Sequence, residues 1–197
     1  FLPCFQISLG YFNTMRIIAG SAGRRNFKVP KAIVRPTTDR TREAIFSMLS
    51  TRVDNASVLD LFAGSGSLGM EALSRGAKNC LFVEENRVCV NTVKDNLKAL
   101  SLSGGKAVQS DVLRFIQQSK HASYDLIFAD PPYYKNAGDR DFVKEMFEIE
   151  SLGSLLADDG LIVIEVDERA EVSLSENWEL IDRRKYGGCS ILFIERK

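Results

Sequence analysis

Residues 60–69 read Asp60-Leu-Phe-Ala-Gly64-Ser-Gly66-Ser-Leu-Gly69. The apolar run Ser57–Phe62 predicts a short buried strand, and Ser67–Ser74 predicts a helix. A G-x-G-x-x-G turn between strand and helix brings bare backbone up to a ligand at the edge of an α/β sheet. Glu84 ends the next apolar run, twenty residues after Gly64. A carboxylate there can accept hydrogen bonds from ribose hydroxyls. Asp60 narrows the choice of cofactor, because a pyrophosphate would set negative charge beside an acid. S-adenosylmethionine has no phosphate and carries an ammonium and a sulfonium, which suit Asp60 directly or through water. Cofactor-binding candidates are therefore Asp60, Gly64, Gly66 and Glu84. Asp111 joins them after the third strand, where it can accept from an adenine amino group or cap the helix that follows.

Outward from this loop the chain alternates strand and helix. Strands are expected at Cys80–Val83, Ala107–Gln109, Tyr124–Ala129 and Leu161–Val166. Helices are expected at Arg87–Leu100, Val112–Gln118 and about 141–156. Trp178–Lys185 and Ser190–Glu195 read as strands joined at Gly187-Gly188, a tight hairpin. Repeated β-α units predict an α/β fold: a Rossmann-like, mostly parallel sheet with helices on both faces and a closing antiparallel hairpin. Before the glycine turn, residues 15–20 and 26–30 are expected to pair around Ser21–Arg25. Thr38 or Asp39 caps a helix running to about Ser50. The expected organisation is an extension at 1–14, a basic N-terminal hairpin and helix at 15–52, and the main domain at 53–197. Residues 1–14 are apolar but lack a basic n-region and a small-residue cleavage site, so they are not read as a signal peptide. No apolar run approaches the length of a membrane span, and the expected location is cytoplasmic.

Charge and cysteine content restrict the function classes. The 197 residues carry no formal net charge, but the charge is unevenly spread. Residues 16–42 hold eight basic side chains against Asp39. Residues 139–182 hold fourteen Asp and Glu against Arg140, Lys144 and Arg169. A basic arm on an acidic body is either a polyanion-facing surface, with Arg24 and Arg25 at its turn, or a solvated segment. Cys4, Cys80, Cys89 and Cys189 form no C-x-x-C pair, and His121 is the single histidine. The thiols are read as buried and reduced, with no metal and no histidine-based catalysis expected.

A second motif, Asp130-Pro131-Pro132-Tyr133, follows the strand Tyr124–Ala129 directly. In an open parallel sheet the carboxyl ends of neighbouring strands form the ligand crevice, which sets this tetrapeptide beside the glycine loop. The amino group of a base is a poor nucleophile, because its lone pair is delocalised into the ring. A carboxylate from Asp130 and the carbonyl of Pro131 can accept both N–H hydrogens and aim the lone pair at a methyl group. Tyr133 can stack on the base. The prolines hold the acceptors in place. These residues point to methyl transfer onto an exocyclic amine, with Asp130, Pro131 and Tyr133 as the catalytic set.

The chain resembles the RsmD family of 16S rRNA guanine-N2 methyltransferases. The resemblance rests on M-R-I-I-A-G-S-A-G-R at 15–24, R-P-T-T-D-R-T-R-E-A-I-F at 35–46, D-L-F-A-G-S-G-S-L-G-M-E-A-L-S-R-G-A at 60–77, F-V-E at 82–84, D-P-P-Y at 130–133 and Y-G at 186–187. It implies a class I methyltransferase fold using S-adenosylmethionine. It also implies a guanine of 16S rRNA as target, within a partly assembled small ribosomal subunit, met by a monomeric enzyme. Gly64, Gly66 and Glu84 correspond to the cofactor site, and Asp130 with Tyr133 to the target-amine site. Arg35, Thr37, Asp39 and Arg40 match the block expected near the substrate entrance. Three rivals stand beside this reading. An adenine-N6 methyltransferase would use the same tetrapeptide. A nicotinamide oxidoreductase shares the glycines but leaves Asp60 and Asp130 unexplained. A non-catalytic RNA-binding or ribosome-assembly module would keep only the fold.

Overall fold

The computed structural model describes residues 13–30, 37–119, 123–132 and 140–197. In chain order the elements are β1 (Asn13–Arg16), β2 (Asn26–Val29), α1 (Asp39–Leu49), β3 (Ser57–Leu61), α2 (Ser67–Ser74), β4 (Asn79–Glu84), α3 (Arg87–Leu100), β5 (Gly105–Gln109), α4 (Val112–Gln118), β6 (Tyr124–Ala129), α5 (Phe142–Glu148), α6 (Ser151–Leu155), β7 (Leu156–Asp167), β8 (Trp178–Tyr186) and β9 (Cys189–Arg196). β1 and β2 pair antiparallel, and the other seven strands form one sheet in the order β5-β4-β3-β6-β7-β9-β8. The first five of these run parallel, and β9 runs antiparallel to both neighbours. This is the class I methyltransferase arrangement. The chain steps outward from β3 to β4 and β5, then returns to β6 on the other side of β3. The carboxyl ends of β3, β4 and β6 therefore border the switch-point crevice.

Period-two alternation gives each inner strand two apolar faces. Val58, Phe82, Leu126, Phe128 and Val163 point into a core shared with the β1–β2 arm, α1, α2 and α3. Leu59, Leu61, Ile127, Ala129, Ile162 and Ile164 point into a second core under α4, α5 and α6. The arm contributes Ile17, Ala22, Phe27 and Val29 to the first core. Among the described residues, no helix is long and apolar enough to cross a membrane. Cys80, Cys89 and Cys189 are buried free thiols. Cys4 and His121 lie outside the described residues.

Three elements differ from the sequence expectation, and one of them is β7, which begins at Leu156 and not at Leu161. The first arm strand is Asn13–Arg16, not 15–20, and Arg16 faces Asn26 in the register. The amides of Ile18 and Ala19 donate to the Glu71 carboxylate at 2.8 and 3.0 Å, so they do not extend the ladder. The helix expected over 141–156 is two helices, because α5 ends at Ile149 in extended backbone. Ser151 Oγ donates to Ile116 O at 2.8 Å and fixes the start of α6 on α4.

Candidate active site

The glycine loop is held from below and from the side. Phe62 opens it in the left-handed region at φ 54°, a costly conformation for an aromatic residue. Ala63 N donates to Val83 O at 3.1 Å, and Gly66 N donates to Ala63 O at 2.6 Å. Gly66 caps α2 at φ 75°, and a Cβ there would lie 2.9 Å from Val93 Cγ2. Gly69 serves packing: its Cβ would fall 2.3 Å from Phe82 Cε1, so α2 could not lie this close to β4 with any larger residue.

Asp60 lies under this loop. It is 3% exposed, and its Oδ2 accepts from Gly69 N at 2.9 Å. Burial is the main cause that pushes its carboxyl up to about 8; the Gly69 amide opposes the rise and the Glu84 charge adds to it. In this geometry Asp60 supports the first turn of α2. The cationic group expected from the sequence would meet it through the loop or a water.

Glu84 ties the loop to the end of β4. One of its carboxylate oxygens accepts from Gly64 N at 2.9 Å, the other from Asn86 N at 2.8 Å. A carboxylate offers about four acceptor positions, so Glu84 keeps capacity for two hydroxyls. Asp111 is the N-cap of α4, where Oδ1 accepts from Arg114 N at 2.8 Å. The acidic side chains Glu84 and Asp111 at neighbouring strand ends, with Asp60 able to ionise beneath the loop, favour a ligand with cationic and hydroxyl groups over a pyrophosphate.

Asp130, Pro131 and Pro132 follow β6, which pairs with β3 through Leu61↔Ala129. Thr37, nearly buried, lies with Oγ1 3.5 Å from Asp130 Oδ2, at the outer limit of a hydrogen bond. Thr38 caps α1 by accepting from Thr41 N at 3.2 Å. Thr37 therefore reaches the Asp130 strand end. Arg40, exposed, lines a 180 Å³ cavity with Thr37, Glu165 and Tyr186. A larger cavity of 520 Å³ is lined by Pro131, Phe142, Glu165 and Val172, and Phe142 packs edge-on against Phe62 of the glycine loop with ring centroids 5.5 Å apart. Arg35 and Tyr133 lie outside the described residues.

The basic arm is fixed to the body. Asn96 imitates a strand partner: Lys28 N donates to its Oδ1 at 3.0 Å and its Nδ2 donates to Lys28 O at 2.8 Å. Ser21 N donates to Ser74 O at 2.7 Å. Glu71, fully buried, joins the arm amides to Arg75 Nε at 2.6 Å. Arg25, though exposed, donates to the last carbonyls of α3, Leu100 O at 2.7 Å and Ala99 O. Arg24 is exposed at φ 67° in the turn. Arg42 is wholly buried and bonds Arg16 O and Asp39 at 2.7 Å, so it belongs to the interior and not to the basic surface. Sequence reasoning missed Glu71 and Asn96. The signal for Asn96 was a polar residue on the apolar stripe of Val90, Val93, Leu97 and Leu100.

The family described as Conserved hypothetical protein 95 matches residues 15–195. The Escherichia coli ribosomal RNA small subunit methyltransferase D is 35% identical, over 88% of this chain and 85% of its own. The protein of the same name from Haemophilus influenzae is 33% identical, over 88% and 89%. A solved structure of the candidate methyltransferase yhhF from Escherichia coli superposes with TM-score 0.81 at 32% identity, covering 94% of this chain and 99% of that one. By sequence and by fold, the chain belongs to this family, the RsmD family of ribosomal RNA small subunit methyltransferase D.

Proposed function

We propose that the protein transfers a methyl group from S-adenosylmethionine to the exocyclic N2 of a guanine in 16S rRNA of the small ribosomal subunit. The observation that carries this reading is the placement of Asp130-Pro131 at the end of β6, beside β3 and its glycine loop. The names of the relatives in Escherichia coli and Haemophilus influenzae support ribosomal RNA as substrate.

The residues fit this cofactor. Glu84 has acceptor capacity for the ribose hydroxyls, Gly64 and Gly66 leave the backbone bare, and Asp111, the N-cap of α4, would accept from the adenine amine. When bound, the cofactor supplies an electrophilic methyl group on a cationic sulfur. Asp130 and the Pro131 carbonyl accept the two N–H hydrogens of the base amine and orient its lone pair. Their positions are set before the base arrives, which removes part of the orientation cost from the barrier. As the amine takes the methyl group it loses one N–H proton, and Asp130, which would already accept that hydrogen, would receive it. Tyr133 stacks on the base, and Arg35 together with the exposed Arg24 and Arg40 neutralises RNA phosphates. Thr37 orients Asp130.

Cofactor choice is tested by calorimetry. The protein binds S-adenosylmethionine and its demethylated product and does not bind a nicotinamide dinucleotide. The reverse preference would refute the reading.

A further inference from the structure

We infer that Glu165 reads the ring N1–H of the target guanine and so decides which base is methylated; this rests on the proposed guanine-N2 reaction. β6 and β7 are parallel neighbours, with Phe128 opposite Val163 and Ala129 opposite Ile164. Asp130 directly follows the end of β6, and Glu165 comes next on β7. Side chains alternate, and Phe128 and Val163 belong to the core on the α1 side. Asp130 and Glu165 therefore project side by side on that face. The Thr37–Asp130 contact and the Phe46–Phe128 ring pair, 5.7 Å between centroids, place α1 over it.

Glu165 is 8% exposed and lines the 180 Å³ cavity with Thr37, Arg40, Lys185, Tyr186 and Gly187. That volume is below the roughly 300–1,000 Å³ of pockets for drug-sized ligands and is on the scale of one planar base. Its walls supply an aromatic ring from the β8–β9 hairpin and cations at its rim.

Hydrogen-bond chemistry selects the base. Guanine presents N1–H and the two N2 hydrogens side by side, a row of three donors. Glu165 also lines the larger cavity with Pro131, so with Asp130 and the Pro131 carbonyl at the neighbouring strand end it would complete a row of acceptors for these donors, and a carboxylate without its proton can only accept. Adenine presents an N1 lone pair beside its amine. That lone pair would face Glu165, leaving two acceptors opposed and no donor between them. Sites that bond a substrate N–H reject analogues lacking it far more strongly than apolar pockets reject a methylene. None of the sequence motifs contains Glu165, because its position relative to Asp130 depends on strand order.

The probe is 2-aminopurine, which keeps the exocyclic N2 amine and replaces N1–H by a lone pair. Small-subunit RNA is assembled with guanine or 2-aminopurine at the methylated position, and labelled methyl transfer is measured for each. The wild-type protein prefers guanine by at least about 100-fold in kcat/KM. Glu165→Gln can turn its amide to donate to N1, and the preference falls to about tenfold or less. Comparing the two preferences cancels the intrinsic reactivity of each base. Glu165→Asp keeps a carboxylate and keeps the preference at a lower rate, which serves if the glutamine variant misfolds. Equal use of both RNAs by the wild type, or full discrimination by Glu165→Gln, would overturn the role of Glu165 and leave the reaction standing. No methylation of the guanine RNA by the wild type would overturn the reaction itself, and this inference with it.

Discussion

Gly64 N donates to Glu84 Oε2 at 2.9 Å, which joins the glycine loop to the end of the next strand. One carboxylate therefore shapes the loop and, in the proposed site, would offer acceptors to a ribose. Glu84→Ala removes both roles. Hydrogen bonds to charged groups contribute about 1.5–3 kcal/mol each, so affinity for S-adenosylmethionine falls at least about tenfold. Titration calorimetry measures it, and unchanged affinity would exclude Glu84 from the cofactor site.

Asp60 couples cofactor binding to protons. Its folded pKa is raised to about 8, while the unfolded chain loses this proton in the ordinary carboxylate range. The native state holds the extra proton between these limits. The contribution of Asp60 to stability therefore falls as pH rises through that window and levels off above it. Asp60→Asn flattens this part of the stability curve in urea titrations. A cation arriving near the loop favours the ionised form, so binding S-adenosylmethionine near neutral pH releases a proton. Calorimetry in buffers of different ionisation heat detects the release, and the Asn variant loses it. Equal release by both proteins would assign the proton elsewhere.

In the proposed reaction Asp130 acts on the amine and not on the cofactor. Asp130→Ala binds S-adenosylmethionine as the parent does, and methyl transfer falls at least about 100-fold, the scale of losing a positioned proton acceptor. Single-turnover transfer measures the step. Normal turnover would remove Asp130 from the mechanism.

Glu71 fastens the arm. Its carboxylate is fully buried and serves two backbone amides and Arg75. Glu71→Ala strands those donors and costs about 3 kcal/mol or more in urea unfolding. Hydrogen exchange at the Ile18 and Ala19 amides accelerates more than exchange in β3. Equal acceleration in both would show that the arm has no separate dependence on Glu71.

The two turn arginines separate by experiment. Arg24→Ala leaves stability unchanged and lowers the slope of RNA affinity against salt by about one counterion. Arg25→Ala also loses its bonds to the α3 carbonyls, so it lowers the melting temperature. An unchanged salt slope for Arg24→Ala would place the RNA surface elsewhere.

Local chemistry made much of this legible in the sequence. α2, α3, α4 and β6 run as the residue pattern predicts, because each has a clear apolar pattern and a cap, a glycine or, for β6, the Asp130-Pro131-Pro132 turn at its end. Thr38, Asn86 and Asp111 are such caps. Asp60, Gly64, Gly66 and Glu84 adjoin because a strand–turn–helix unit and its next strand bring them together whatever the rest of the fold does. Long-range pairing was not legible. Nothing near Ile18 says that its amide will meet Glu71, fifty-three residues away, so the arm strand was placed too late. The adjacency of Asp130 and Glu165 depends on β7 pairing with β6, which no local pattern states. The second role of Asp111 was also open, since one short side chain can serve a cap and a ligand.

The central claim is tested most directly by incubating the protein with labelled S-adenosylmethionine and small ribosomal subunits from cells lacking it, then identifying the methylated nucleoside by mass. The account predicts N2-methylguanosine at a single position of 16S rRNA, absent with Asp130→Ala. N6-methyladenosine, or no transfer to the subunit or its RNA, would contradict it.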